Sequence, residues 1–191
     1  MTRILAISGS LRERSYNRAL LRAARELAPD GVEIEEFDLS RIPFYDGDVE
    51  AAGDPEPVAA LRAAVAEADG LLIATPEYNR GTSGVLKNAI DWLSRPALAS
   101  VLRWKPVAIM GASTGRGGTR HAQAQVRGAL LFPGAVVIEE PEVLVHLAWE
   151  RFDADGELVD EKTKDDIREL LHALVESVSA RPVVEAVIVG A

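Results

Sequence analysis

The sequence predicts an α/β fold, a doubly wound five-stranded parallel sheet with helices on both faces. Three observations carry this expectation. Five strand-like runs alternate along the chain with stretches of helical periodicity. Two of those runs, GLLIA and PVAIM, are almost wholly apolar, as expected of parallel strands covered on both sides. Finally, 191 residues, 48% of them apolar and with neither internal repeat nor dividing linker, suffice for one domain with a substantial core. That domain is expected to span residues 1–182, with an apolar tail, VVEAVIVGA, over Val183–Ala191.

The elements follow in order. The first strand is expected at Ile4–Ile7, and it runs into Ser8-Gly9-Ser10 and a loop rich in hydroxyls and arginine. A helix opens near Ser15–Asn17, both favoured capping types, and carries Leu20, Leu21, Ala24 and Leu27 on one face. The second strand is Val32–Phe37. The long connection from Asp38 to Glu56 holds Pro, Gly and Asp and reads as an excursion over the surface. Val58, Leu61, Val65 and Ala68 form the next helical face, and the third strand is Gly70–Ala74. Val85, Leu86, Ala89, Ile90 and Leu93 make another face before the fourth strand, Pro106–Met110. A less regular helix near Ala122–Leu131 leads to a fifth strand at Ala135–Ile138. The last helix repeats Ile167, Leu170, Leu171, Leu174, Val175 and Val178 at spacings of three and four. Right-handed crossovers join such strands into one sheet. The tail could add a strand, cover a groove or stay unordered.

Composition excludes several functions. A net charge of −9 argues against nonspecific nucleic-acid binding. No apolar run approaches the roughly 20 residues of a membrane span, and the chain enters its first strand without a signal-peptide pattern, so a cytoplasmic location is expected. With no cysteine there are no disulfides, thiolate metal sites or cysteine nucleophiles. The same absence sets aside a tyrosine phosphatase, which opens with a similar strand, loop and helix but needs a loop cysteine. His121, His146 and His172 lack metal-ligand spacing, so no metal is expected.

In a doubly wound sheet, ligands bind beyond the carboxyl ends of the strands, where the strand order reverses. The loops after the first, third and fourth strands should therefore form one site. A strand feeding a Gly/Ser loop and a helix N-terminus presents free backbone N–H groups and a favourable dipole to an anion. Arg12, Arg14 and Arg18 fall there, in an otherwise acidic chain. Alone, the segment fits either a phosphate site or a capped turn with solvated arginines. After the third strand comes TPEYNRGTSGVLKNAIDW, where Pro76 fixes the backbone, Tyr78 offers a ring and Asn79 two-way hydrogen bonding. After the fourth comes GASTGRGGTR, Gly111–Arg120, whose glycines let the backbone approach a flat ligand. Three such loops on one sheet edge favour a ligand site over three separate turns.

Together these segments resemble the NADPH-dependent FMN reductase family of flavodoxin-like proteins, which includes quinone, chromate and azo-dye reductases. GSLRERSYN is similar to that family's phosphate loop, PEYN with GVLKNAIDW to its flavin-ring segment, and GASTGRGG to its third loop. The segment after Gly117-Gly118 departs from the pattern, because His121 stands between Arg120 and Ala122-Gln123. The resemblance implies the flavodoxin-like strand order 2-1-3-4-5. It implies that Ser10, Arg12, Ser15 and Asn17 hold the FMN phosphate. Pro76, Glu77, Tyr78 and Asn79 would line the isoalloxazine ring, with Ser113 and Gly115 closing the other side. No side chain is expected to be catalytic, because the flavin carries the chemistry. NADPH or NADH would reduce it, and a small-molecule acceptor (quinone, flavin, azo compound or metal oxyanion) would reoxidise it in a ping-pong cycle. Arg12, Arg14 and Arg80 are candidates for the extra phosphate of NADPH, with a solvated role equally open. A homodimer or homotetramer is implied, with Asp91–Trp104 a candidate interface. The alternatives are a flavodoxin-like FMN electron carrier or a regulatory flavoprotein without NAD(P)H turnover.

Overall fold

Apolar runs and helical stripes of the sequence close into a three-layer sandwich in the computed structural model, which describes residues 1–180. The tail Val183–Ala191 lies outside the described residues. The strands are β1 (Thr2–Ser8), β2 (Val32–Phe37), β3 (Gly70–Ala74), β4 (Pro106–Ala112), β5 (Val136–Val137) and β6 (Val143–Val145). The helices are α1 (Tyr16–Glu26), α2 (Gly47–Ala52), α3 (Glu56–Glu67), α4 (Gly84–Leu93), α5 (Arg120–Leu131) and α6 (Glu161–Ser179). All pairings are parallel, and the order is β2-β1-β3-β4-β5, with β6 also on β4. The order reverses beside β1, as the flavodoxin-like reading requires.

The fifth position differs from the expected Ala135–Ile138 strand. Val136–Val137 pair with Pro106–Val107, and Ile138 still donates its N–H to Val107 O at 2.8 Å. The chain then leaves the sheet through Glu139-Glu140-Pro141-Glu142 and returns as Val143–Val145 against Met110–Ala112. Proline has no N–H to give a ladder, and three carboxylates resist burial beside an apolar strand. The fifth strand is therefore divided, and its second half, the three residues VLV, is too short to show a period.

Alternation along the strands sorts the core into two layers. Ile4, Ala6, Leu72, Ala108 and Met110 face α1 and α6, against Leu20, Ile167, Leu170 and Leu174. Leu5, Ile7, Leu71, Ile73, Val107 and Ile109 face the other way, onto Leu61, Val65, Leu86, Ile90 and Val126. Each large side chain buried this way contributes roughly 1.5–3 kcal/mol. The Asp38–Glu56 excursion is strapped to α4: Asn88 accepts from Tyr45 N and donates to Pro43 O, each at 2.8 Å. Trp92 Nε1 donates to the same carbonyl at 2.8 Å, and its ring is fully buried in its own chain. Trp92 is thus core, not interface.

Helix α6 is fixed at its start by Asp160, whose carboxylate accepts from Thr163 N (3.0 Å) and Thr163 Oγ1 (2.6 Å) and from Arg151 (2.9 Å). The Thr163 hydroxyl foremost, with the Thr163 amide and Arg151, holds its carboxyl below the ordinary value of 3.8. Replacing Asp160 by Ala is expected to lower stability by about 1–2 kcal/mol in denaturant unfolding. A carboxyl depressed in the folded state stabilises above its ordinary value and loses that contribution as the pH falls through the lower folded value. The gap between the wild type and Asp160→Ala should therefore close in acid, below about pH 4. A gap independent of pH would contradict this.

Candidate functional site

The loop after β1 begins at a crowded point. Gly9 N donates to Ala74 O at 2.9 Å, and Gly9 O accepts from Ser83 Oγ at 2.6 Å. A Cβ on Gly9 would lie 2.9 Å from Pro76 Cδ, so the glycine is what lets the first and third loops touch. Ser8 Oγ bridges Ser10 N and Ser10 O, both at 3.2 Å, folding the loop back. Ser15 caps α1 by accepting from Asn17 N at 3.2 Å. Asn17 reaches across to β4, where its Oδ1 accepts from Ala112 N (2.9 Å) and its Nδ2 donates to Ala112 O (3.0 Å). Ser10, Ser15 and Asn17 are buried, although all three are polar.

The loop after β3 is built as a rigid projection. Thr75 Oγ1 donates to Pro76 O (2.9 Å) and pairs with Thr82 Oγ1 (2.8 Å). Tyr78 and Gly81 exchange two backbone hydrogen bonds, at 2.9 and 3.0 Å, around Asn79 and Arg80. Both turn residues have left-handed backbones, φ 52° and 60°, as a tight primed turn demands. Gln125 of α5 braces the turn by accepting from Thr82 N at 2.8 Å. Glu77 Oε2 accepts from His121 N (2.9 Å) and Ala122 N (3.1 Å). Thr119, at the cap position of α5, makes no side-chain cap. Glu77 supplies one from the neighbouring loop, placing its negative charge at the positive end of the helix. His121, the residue that departs from the family pattern, takes part in this cap through its backbone.

The loop after β4 starts at Gly111, where a Cβ would stand 2.4 Å from Thr75 O, so only glycine fits between the two loops. Ser113 N donates to Val145 O (2.9 Å), and Ser113 Oγ accepts from Gly115 N (3.1 Å). Gln123 Nε2 ties Thr119 Oγ1 (3.0 Å) to Val143 O (2.9 Å).

These loops enclose a cleft of about 390 Å³ at the carboxyl edge of the sheet. Ser10, Arg12, Ser15 and Asn17 line it from the first loop and α1; Pro76, Glu77, Tyr78 and Ser113 line it from the other two. Tyr16, Ala112 and Thr114 complete the wall, and nothing in the sequence pattern marked them. Asn79 and Gly115 are not on the wall. Asn79 sits at the exposed tip of the Tyr78–Gly81 turn, and Gly115 lies in an exposed loop, its carbonyl accepting from Leu147 N at 3.1 Å. Arg18 is absent as well, because it pairs with Glu36 at 3.1 Å, leaving Arg12 and Arg14 as the free cations of the first loop.

The residues fit a group with a phosphate at one end and a flat ring at the other. The Ser10 hydroxyl and the Arg12 guanidinium engage no protein group, beside a capped helix N-terminus. The cleft volume lies within the range of small-molecule sites, roughly 300–1,000 Å³. Among the described residues no cluster of three or more His, Cys, Asp or Glu is placed to hold a metal ion. No helix among them is long and apolar enough to cross a membrane.

Fold and cleft together define a flavodoxin-like protein with a small-molecule site at the reversal of strand order. Residues 2–150 match the model of the NADPH-dependent FMN reductase family. The chain is 48% identical over 172 residues to an NAD(P)H-dependent FMN reductase of Pseudomonas aeruginosa, covering 90% of this chain and 92% of that protein. It is 42% identical over 162 residues to a 2-hydroxy-1,4-benzoquinone reductase of a Burkholderia species, covering 85% and 88%. Among solved structures, the flavoenzyme NAD(P)H:acceptor oxidoreductase FerB of Paracoccus denitrificans superposes with a TM-score of 0.86 at 34% identity, covering 95% and 99%. This chain belongs to the NADPH-dependent FMN reductase family.

Asn17→Ala strands the N–H and C=O of Ala112 without partners. A loss of about 2–4 kcal/mol is expected in denaturant unfolding, since each buried orphan costs about 1–3 kcal/mol. A variant as stable as the wild type would show that the clamp does not hold the cleft.

Proposed function

We propose that the chain binds FMN in this cleft, reduces it with NAD(P)H and passes the electrons to quinone-type acceptors. One observation carries the reading: the unengaged Ser10 and Arg12 donors beside the start of α1 share one cleft with Pro76, Tyr78 and Ser113, at the reversal of strand order. Ser10 and Ser15 would bond the phosphate through hydroxyls and Arg12 through its guanidinium, aided by the positive end of α1. Asn17 spends one Nδ2 hydrogen and its Oδ1 on Ala112, which leaves the second Nδ2 hydrogen for a phosphate oxygen. Pro76, Glu77 and Tyr78 would border the ring through their backbone, with Ser113 on the opposite side. Asn79 and Gly115 belong to the margin of the site. Bound FMN supplies the hydride and electron chemistry. The protein is asked only to orient the ring, to hold the phosphate and to keep one face open.

An open face serves the nicotinamide and the acceptor in turn, a ping-pong order. It also suits flavin, azo and metal-oxyanion acceptors. The names of the relatives favour quinones. The same reading includes one FMN-binding domain over residues 1–182, a cytoplasmic location, and assembly as a homodimer or homotetramer. Exposed Trp104, Leu131 and Phe132 offer apolar surface for such assembly.

The purified chain is expected to be yellow, or to become so with FMN, and to oxidise NADPH when a quinone is present. A colourless chain that cannot be reconstituted would overturn the flavin reading; a yellow one that oxidises neither NADPH nor NADH would be a carrier. Arg12→Ala combined with Ser15→Ala removes two phosphate bonds of about 1.5–3 kcal/mol each. FMN affinity should fall tens-fold or more, while riboflavin affinity changes little. Equal losses for both ligands would place the phosphate elsewhere.

A further inference from the structure

The arginines of this acidic chain are not distributed at random with respect to their partners. Of its 21 lysines and arginines, Arg181 lies outside the described residues. The others make an ion pair, hydrogen bond or ring contact, except Arg12, Arg14, Arg80, Arg116 and Arg120. All five unengaged cations stand on the loops at the carboxyl edge of the sheet or on the first residue of α5. Solvated surface charge would scatter over the molecule. Here, away from this one edge, every described cation is engaged.

The five divide into two groups. Arg12 lines the phosphate corner already described. Arg14, with Arg12 and Arg22, lines a neighbouring groove of about 490 Å³ whose carboxylates Glu13, Asp153 and Asp155 offset the three guanidinium charges. Arg80, Arg116 and Arg120 belong to the other two loops and have no part in that corner. Their elements are locked together. Gln125 of α5 bonds the backbone beside the Arg80 turn, and Glu77 caps α5 one residue after Arg120. The Glu77 carboxylate, the nearest negative charge in sequence to Arg80, is engaged by the N–H groups of α5. Arg80 is held at φ 60°, a backbone disfavoured for a side chain of its size and typical of functional loops. Arg116 is exposed, as are Gly115 and Gly117 on either side of it.

We propose that Arg80, Arg116 and Arg120 form a subsite for the 2′-phosphate of NADPH and so set the preference for NADPH over NADH. The proposal rests on FMN binding in the cleft. Arg80, Arg116 and Arg120 are the unengaged cations of the two loops that carry Pro76–Tyr78 and Ser113–Thr114, the cleft walls apart from the Ser10–Ser15 loop, and on this proposal the dinucleotide runs from the ring toward them. A 2′-phosphate carries close to two negative charges near neutral pH and matches the guanidinium fork. The two dinucleotides share everything else, so only interactions with that phosphate separate them.

The test compares the wild type with the triple variant Arg80→Gln, Arg116→Gln, Arg120→Gln, FMN content being measured first by absorbance. The KM for NADPH is expected to rise about tenfold or more, and that for NADH less than about threefold, with kcat little changed. As a binding readout, 2′,5′-ADP should compete with NADH more tightly than 5′-AMP in the wild type, and this advantage should vanish in the triple variant. Arg80→Gly, which suits the left-handed backbone, should produce part of the same shift even if the triple variant folds poorly. Equal effects on NADPH and NADH, a change in oligomeric state alone, or loss of FMN from the triple variant would each overturn the subsite. Absence of FMN from the wild type would instead overturn the reading beneath it.

Discussion

The cleft depends on one side-chain amide. A parallel strand ends with N–H and C=O groups that its neighbours no longer pair, and Ala112 is such an end, at the last residue of β4. Asn17 meets both groups of Ala112 at 2.9 and 3.0 Å and so serves as one more residue of strand. It stands one residue inside α1, whose first N–H groups are the proposed anion-binding part of the site. The amide therefore fixes the helix N-terminus to β4, across the position of β3, and settles how far the Ser10–Ser15 loop lies from the Ser113 wall. With a free helix start the same residues would line a looser opening.

Around this clamp the other two loops are joined by close approach rather than by bulk. Gly9 brings the first loop against Pro76, and Gly111 lets Thr75 and Thr119 meet. Glu77 and Gln125 then bind the third-strand loop to α5 from opposite sides of the Tyr78–Gly81 turn. The ring wall is thus held by hydrogen bonds to a helix that itself packs Val126 and Leu130 into the core. Rigidity of this kind suits an enzyme whose bound cofactor does the chemistry. The protein's contribution is to hold a geometry, and a shift of the wall would alter the cleft that has to orient the cofactor.

Much of this was legible in the chain before folding. Parallel strands covered on both faces write themselves as apolar runs, so β1, β3 and the start of β4 were visible, and the helices followed from spacing. Strand β6 was not, because three residues after a proline show no period. Ser10, Arg12, Ser15, Pro76, Tyr78 and Ser113 fall on the cleft wall because they follow strands whose carboxyl ends share one edge. Arg18 misled, since its partner Glu36 lies on β2 and pairing between separate elements leaves no local mark. Glu77 as the cap of α5 and Asn17 as the clamp of β4 were hidden for the same reason: their partners stand 44 and 95 residues away. Asn79 followed its motif into the reading, but the two left-handed residues of a tight turn carry it to the tip.

The central claim is that one cleft holds both ends of FMN, and a crystal structure of the chain grown with FMN tests it most directly. The account predicts the phosphorus beside Ser10, Arg12 and Ser15 and the ring between Pro76–Tyr78 and Ser113–Thr114, with one face open. Flavin density elsewhere on the molecule, or a ring in this cleft with its phosphate turned away from the Ser10–Ser15 loop, would contradict it.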